Sequence, residues 1–523
     1  MTVPGAPRLT SEHMNPPIHL LLALSLTGAP VPQAASLRYT VNLNDRADSV
    51  FKVTLRVDSL PAASGVFQFA STAPGTYQVM DIGRYVRRFR AFDAAGRELA
   101  TTQLNTNQWE IASPSLVRVI RYDIRETFDT PVTEHPVYRM CGSSLKADHA
   151  LINGQAVFGF PRGMQAVPIS VRLLRPPAWV VGTPLRQRLG LYLADDYDQL
   201  VDSPILAGRL TRAETRVTGV PVQILVYSRA GQIKAPQLLT SMRGMLQAAG
   251  GFLGKLPVDR YTFLFHFSDR DMGAWEHSYG SEYALQDRPY TRAVGASVTD
   301  MAAHEFFHVV TPLNIHSEII EHFNFETPVP SRHLWLYEGV TEWAAHKMLL
   351  ESGLKPAEEY LAGVVQKVRI DRLGFDTTYS LTKLALTSYS DSGQRQYGNI
   401  YMRGAVVAGL LDIDLLELSD GQHGLRDLIG GLSKTYGKKR AFPEDSLMAI
   451  LGARTSPLVR DFLSRYVEGA EHPPVKEFYA KLGFKLIEDE KGLPVRFEVD
   501  SNATPAQLKL RAAWLGRRGA PVS

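Results

Sequence analysis

Cysteine is nearly absent from this chain of 523 residues: Cys141 stands alone. One thiol excludes an intrachain disulfide and a cysteine metal cluster. A nucleophilic role needs an activating base, and the surrounding Arg139-Met140-Cys141-Gly142 supplies none, which leaves a plain buried or partly buried thiol. An excess of one charge is missing too. The 57 basic and 53 acidic residues nearly cancel, to a net charge of +4. The tight basic cluster Lys438-Lys439-Arg440, after Tyr436, is too short to track a phosphate backbone and reads as a solvated loop. Nucleic acid is therefore not an expected partner. A stretch able to cross a bilayer is also lacking, because the apolar run at 18–26 is too short for a stable span.

What remains is ordinary globular composition, 45% hydrophobic and 21% charged. The length exceeds what one core sustains and predicts two to four domains. Residues 1–36 read as a signal peptide: the apolar run follows Met14, and Ala34-Ala35-Ser36 supplies small residues for cleavage. Before Met14 the basic residue is Arg8, so a start at Met14 leaves the amino terminus as the charged region. The expected location is periplasmic or secreted, with a cytoplasmic one as the alternative.

Residues His304, Glu305, Phe306, Phe307 and His308 spell H-E-x-x-H. On an α-helix a step of four residues rises roughly 6 Å with about 40° of net rotation, so both imidazoles leave one face at a spacing that clamps one zinc ion. Glu305 then stands beside the metal. Two histidines and a glutamate fall at these positions by chance in some chains, so context has to decide. Thr299 and Asp300 are good cap residues ahead of the motif, and Pro312 ends the helix soon after it. Zinc sites that do chemistry take three protein ligands and leave a fourth position to water. Glu338, in Leu334-Trp335-Leu336-Tyr337-Glu338-Gly339, opens a second helical stretch and is the best third ligand. Glu342, one helical step of four further on, is placed to accept the free N–H of a ligand histidine. The neighbouring His316, His322, His333 and His346 lack the spacing of a ligand pair and read as surface or packing residues.

From Leu37 to about residue 175 the chain consists of short runs alternating in polarity, separated by Gly, Pro, Asn and Asp, the pattern of antiparallel strands. Between 220 and 267 strand-like pieces flank a helical segment at 236–253. After Asp300 the pattern is mainly helical, with long runs at 356–372, 403–417 and 457–466.

H-E-F-F-H followed by W-L-Y-E-G-V-T-E resembles the gluzincin metallopeptidases, and among them the glycyl aminopeptidase family, whose members commonly carry a C-terminal PDZ domain. Gly273-Ala274-Trp275-Glu276-His277-Ser278 is similar to that family's G-G-x-E-H-x-S segment, and Tyr401-Met402-Arg403-Gly404 to its Y-x-K-G segment. Pro74-Gly75-Thr76-Tyr77, the run at 84–89, Asn107-Gln108-Trp109, the run at 153–158 and Val201-Asp202-Ser203-Pro204 extend the resemblance to residues 37–485. The resemblance implies a multidomain α+β fold: an N-terminal antiparallel β-sandwich-like domain at 37–214, then a thermolysin-like zincin catalytic core at 215–350 with a mostly helical part at 351–486. The remaining 487–523 is expected to be a tail, too short for a PDZ fold.

The resemblance also assigns roles. Glu276 becomes the anchor for a substrate's free amino group, with Gly273, Ala274 and His277 as further substrate contacts, and Tyr401 faces the oxyanion. Arg403 departs from the family's lysine; it keeps the charge but presents a fork, so a specific lysine role does not transfer. The expected activity is a metallopeptidase holding one Zn2+ per chain through His304, His308 and Glu338. In it Glu305 takes a proton from the zinc-activated water, and small residues such as glycine or alanine leave the free N-terminus of peptides. A thermolysin-like endopeptidase would share the same zinc residues, and a binding protein that had lost hydrolysis is the third reading.

Overall fold

The structure, a computed structural model, describes residues 36–270 and 273–517. The expected signal peptide lies outside the described residues, save for Ser36. From Leu37 the alternating runs do form strands. An eight-stranded sheet collects half of them, and two four-stranded sheets complete the N-terminal half. Leu37–Asn42 alternates buried and half-buried positions, as a strand covered on one face should. The layer is not purely antiparallel, because Leu37–Asn42 runs parallel to Ile169–Leu174, a long-range pairing that local alternation does not encode. Buried tyrosines tie the sheets together. The hydroxyls of Tyr39, Tyr122 and Tyr197 donate to the carbonyls of Gly159, Val157 and Phe158 at 2.6, 3.0 and 2.7 Å.

A second sheet of five strands follows, in the order Thr211–Val217, Val220–Ser228, Tyr261–Ser268, Gly280–Gln286, Gly273–His277. Its three central strands are parallel, and Tyr261–Ser268 and Gly280–Gln286 are almost wholly buried, while Gly273–His277 joins antiparallel at the edge. Helix Ala235–Leu253 packs against this sheet beside helix Arg292–Phe307. The last large elements are helices Val340–Glu351, Ala357–Gly374 and Asn399–Leu418, with a hairpin and helix Pro505–Trp514 closing the chain. Among the described residues no helix is long and apolar enough to cross a membrane.

The apolar residues divide into two main cores. One lies within the N-terminal sheets and takes in Trp275, Phe323 and Phe325 from further along the chain. The other runs from Val217 to Trp514 with no break at 350 or 486. The segment expected as a tail therefore has structure through Arg517: Trp514 is 1% exposed within the second core. Its apolar residues are too sparse for a domain of their own but suffice to dock on an existing one.

Candidate active site

The helix carrying H-E-x-x-H is longer than its sequence signals suggest. It spans Arg292–Phe307 and starts at Thr291, whose side chain accepts the Val294 N–H at 3.2 Å. Thr299, one of the two cap-like residues, instead turns its hydroxyl back to the Gly295 carbonyl at 2.7 Å. The helix ends at the motif, with His308 as its last cap. Glu338 lies in a widened π-type turn, Trp335–Gly339, that leads into Val340–Glu351. Such turns interrupt the regular ladder and re-aim side chains.

The two helices bring three side chains to one point. His304 Nε2 lies 3.2 Å and His308 Nε2 3.5 Å from the same Glu338 Oε2. Zinc bonds of 2.0–2.1 Å in a tetrahedron put ligand atoms about 3.3 Å apart, so these spacings fit the ion. The donor chemistry fits as well. His308 Nδ1 donates to the Thr311 carbonyl at 2.9 Å, which leaves Nε2 as a lone pair, and His304 Nδ1 donates to Glu342 Oε2 at 2.9 Å. Glu342 in turn receives His346 Nε2 at 3.1 Å and Lys367 Nζ at 2.5 Å. His346 thus belongs to this network rather than to the surface. Of the other histidines, His316 and His333 are buried and bonded to the carbonyls of Pro312 and Glu444, and His322 is exposed.

Three carboxylates crowd the imidazoles. One ligand atom each of Glu276, Glu305 and His308 lie within 4.8 Å of one another. Burial raises the Glu276 carboxyl to about 8, against the attraction of His308 and with the repulsion of Glu338 and Glu305. Burial also raises Glu305. Glu338 goes the other way: burial opposes its charge, but the His308 charge and hydrogen bonds from both imidazoles outweigh that and hold it at about 2.

A cavity of about 610 Å³ opens over this cluster. Gly273, Ala274 and Glu276 line it from the edge strand, and Tyr401 lines it from helix Asn399–Leu418. The period of two along the strand puts Ala274 and Glu276 on the cavity side. Trp275 and His277 point the other way: Trp275 joins the N-terminal core, and His277 lies 3.4 Å from Asp202. His277 does not line this cavity, which corrects its expected place among the substrate contacts. The hydroxyls of Tyr401 and Tyr397 are 3.4 Å apart, and the Tyr401 ring stands 5.6 Å from that of His304. Arg403 is buried away from the cavity, its guanidinium 2.8 Å from Asp371 and bonded to the Tyr379 carbonyl at 2.6 Å. The exchange of lysine for arginine therefore falls on a brace between helices. Gly75, Tyr77 and Tyr397 also line the cavity. Of these, Gly75 and Tyr77 lie in Pro74-Gly75-Thr76-Tyr77, whose place at the site no pattern near the zinc motif could have indicated.

This arrangement is that of a zinc metallopeptidase. Sequence models of two domains match the chain: the Peptidase M61 N-terminal domain over residues 38–209, and the M61 glycyl aminopeptidase over residues 297–407. Together they take in more than half of the 523 residues, and the chain belongs to the M61 glycyl aminopeptidase family. Among solved structures it resembles an aminopeptidase N family protein from Idiomarina loihiensis, with a TM-score of 0.76 and 19% identity over 90% of this chain and 82% of that one. It also resembles a mutant M1 zinc metallopeptidase from Deinococcus radiodurans bound to a Tyr-Ser-Ala substrate, with a TM-score of 0.53 and 15% identity over 85% of this chain and 95% of that one. At these identities the likeness is one of fold. No curated protein matches the chain.

Proposed function

We propose that the protein is an aminopeptidase that removes small N-terminal residues, glycine or alanine, from peptides with a free N-terminus, using one zinc ion per chain. The observation that carries this reading is the buried Glu276 carboxylate, which faces the cavity beside Glu305 and His308. An endopeptidase has no use for an acid at that place, whereas an ammonium group needs one.

His304, His308 and Glu338 would hold the metal, with Glu342 orienting His304. Zinc bound there acidifies water and polarises a carbonyl. Glu305, whose carboxyl burial holds above its ordinary range, takes a proton from the attacking water and passes it to the leaving amine. Tyr401, its hydroxyl kept protonated by burial, donates to the oxygen on which negative charge develops. Glu276, whose raised carboxyl an adjacent ammonium draws back to its ionised form, pairs with the substrate's ammonium and so sets the first peptide bond as the one cut. We place the N-terminal β-domain at 37–214 and the catalytic region after it. The run at 18–26 supports export to a periplasm.

The test is a panel of amino-acid amides and their N-acetylated forms, offered to the zinc-loaded protein and to Glu276→Ala. Free-amine substrates should be cleaved and acetylated ones spared, and the variant should lose most of its activity on the former. Equal rates on both sets by the wild type would turn the reading to an endopeptidase, and no hydrolysis of either to a binding protein.

A further inference from the structure

The loop Pro74-Gly75-Thr76-Tyr77 reaches from the N-terminal sheets into the cavity, and two of its residues hold left-handed backbone: Gly75 at φ 74° and Tyr77 at φ 46°. For a tyrosine that conformation is strained and persists only where the surroundings impose it. They do so here. Gln394 Nε2 donates to the Tyr77 carbonyl at 2.8 Å, the Tyr138 hydroxyl donates to Gln394 Oε1 at 3.3 Å, and the Thr76 hydroxyl donates to the Ala73 carbonyl at 2.8 Å. Gly75 meanwhile lies so close to the edge strand that a Cβ there would stand 2.8 Å from Glu276 Oε1. The strained loop is thus pressed against the acid that awaits the substrate's amine.

Its outcome is the position of one phenol. The Tyr77 ring lines the cavity with Glu276 and packs on Tyr397, with ring centres 5.3 Å apart, and on Tyr389 at 6.1 Å. Tyr397 and Tyr401 face each other through their hydroxyls. The Tyr77 hydroxyl has no hydrogen-bond partner among the described residues, although Glu276 and Glu338 are both close enough to add to the effect of burial on it. An ammonium carries three N–H donors. A carboxylate on one side satisfies one or two, and the last needs another acceptor.

We propose that Tyr77 is the second half of the amine anchor: its hydroxyl oxygen accepts an N–H bond from the substrate's α-ammonium while Glu276 neutralises the charge. This rests on the aminopeptidase reading above. It makes the N-terminal domain a contributor to substrate binding and gives the backbone strain at residue 77 a use.

The experiment compares wild type and Tyr77→Phe on alanine amides, with inhibition by free alanine and by N-acetylalanine measured in parallel. Phenylalanine keeps the ring and its packing and removes one oxygen, and melting curves with zinc content check that the fold and metal site are intact. A hydrogen bond to a charged group is worth roughly tenfold or more in affinity. KM should therefore rise about tenfold with kcat within a factor of two, and inhibition by alanine should weaken to match while N-acetylalanine is unaffected. An unchanged KM, or a loss confined to kcat, overturns the assignment. A wild type that cleaves free and acetylated substrates alike fails the aminopeptidase reading itself, whatever Tyr77→Phe does.

Discussion

Gly339 and Gly404 touch backbone to backbone. A Cβ on Gly339 would stand 2.8 Å from the Gly404 Cα, and one on Gly404 3.0 Å from the Gly339 Cα. Gly339 follows Glu338 directly, and Gly404 lies three residues after Tyr401, so this contact sets the separation between the expected third ligand and the expected oxyanion donor. No side chain can move aside to admit a methyl group there. Gly404→Ala is expected to cost about 1–3 kcal/mol of stability, the usual penalty of overpacking. It should also lower kcat more than Ala405→Gly, a change on the same helix away from the contact. Denaturant midpoints and steady-state rates on an alanine amide check both; a variant with wild-type kcat would free the site from this contact.

Glu342 offers a second prediction. It receives His304 on one carboxylate oxygen and His346 and Lys367 on the other. Removing a partner of this kind from a ligand histidine typically weakens metal binding 10–100-fold. Competition with a chelator should show that loss for Glu342→Ala and a smaller one for Glu342→Gln, which keeps an acceptor for His304 Nδ1. Equal zinc affinity in all three proteins would reduce Glu342 to a brace for Lys367.

The meeting of His304, His308 and Glu338 is legible in part because the spacing within each helical stretch is local. His304 and His308 lie on one helix face, and Glu338 and Glu342 lie four residues apart on a second stretch, so residue steps indicate which side chains share a face, while the pairing of the two stretches rests on the need for a third ligand. The helix start was misread because cap preferences are short-range, and Thr299 satisfies its hydroxyl inside the helix instead. His277 was misplaced although strand alternation from Glu276 would have turned it away. Gly75 and Tyr77 were beyond reach for another reason. They lie some two hundred residues from Glu276 and meet it only because two cores fold against each other. Parallel pairing of Leu37–Asn42 with Ile169–Leu174 is non-local in the same sense.

The contact between those cores contains a third testable feature. His149, on an N-terminal strand, and His266, on a central strand of the five-stranded sheet, share one hydrogen bond of 2.9 Å between their Nε2 atoms. Asp148 accepts from His149 Nδ1 at 3.0 Å and from the Tyr227 hydroxyl at 3.1 Å, and Lys146, Arg139 and Asp269 carry the charges nearby. Burial lowers both imidazoles below the ordinary 6.5, most strongly at His266, where the His149 and Arg139 charges add to it. The unfolded chain therefore binds more protons as pH falls through about 6.5, and stability contributed by the pair is present above that pH and lost below it. Urea midpoints should fall between pH 7 and 5. The fall should be shallower in His266→Gln, by up to about 1.4 kcal/mol per pH unit for each proton removed from the count. Parallel slopes for the two proteins would take the pair out of the acid response.

Trp514 tests whether the end of the chain is a tail. It is fully buried against Tyr360, Tyr479 and Phe484, with ring centres 5.5, 6.2 and 6.0 Å away. Its carbonyl accepts from the buried Lys347 Nζ at 2.6 Å, which also pairs with Asp412 at 2.9 Å. Lys347 lies on the helix that begins next to Glu338, so helix Pro505–Trp514 reaches the element that positions the expected zinc ligand. Trp514→Ala removes a large apolar side chain and should cost about 3–5 kcal/mol. A chain ending at 486 loses the carbonyl as well, leaving Lys347 to Asp412 and uncovering the apolar surface that Trp514 fills, and is expected not to fold. If that shortened chain is soluble, binds zinc and melts with the full-length protein, then residues 487–517 are dispensable to the second core despite the burial of Trp514.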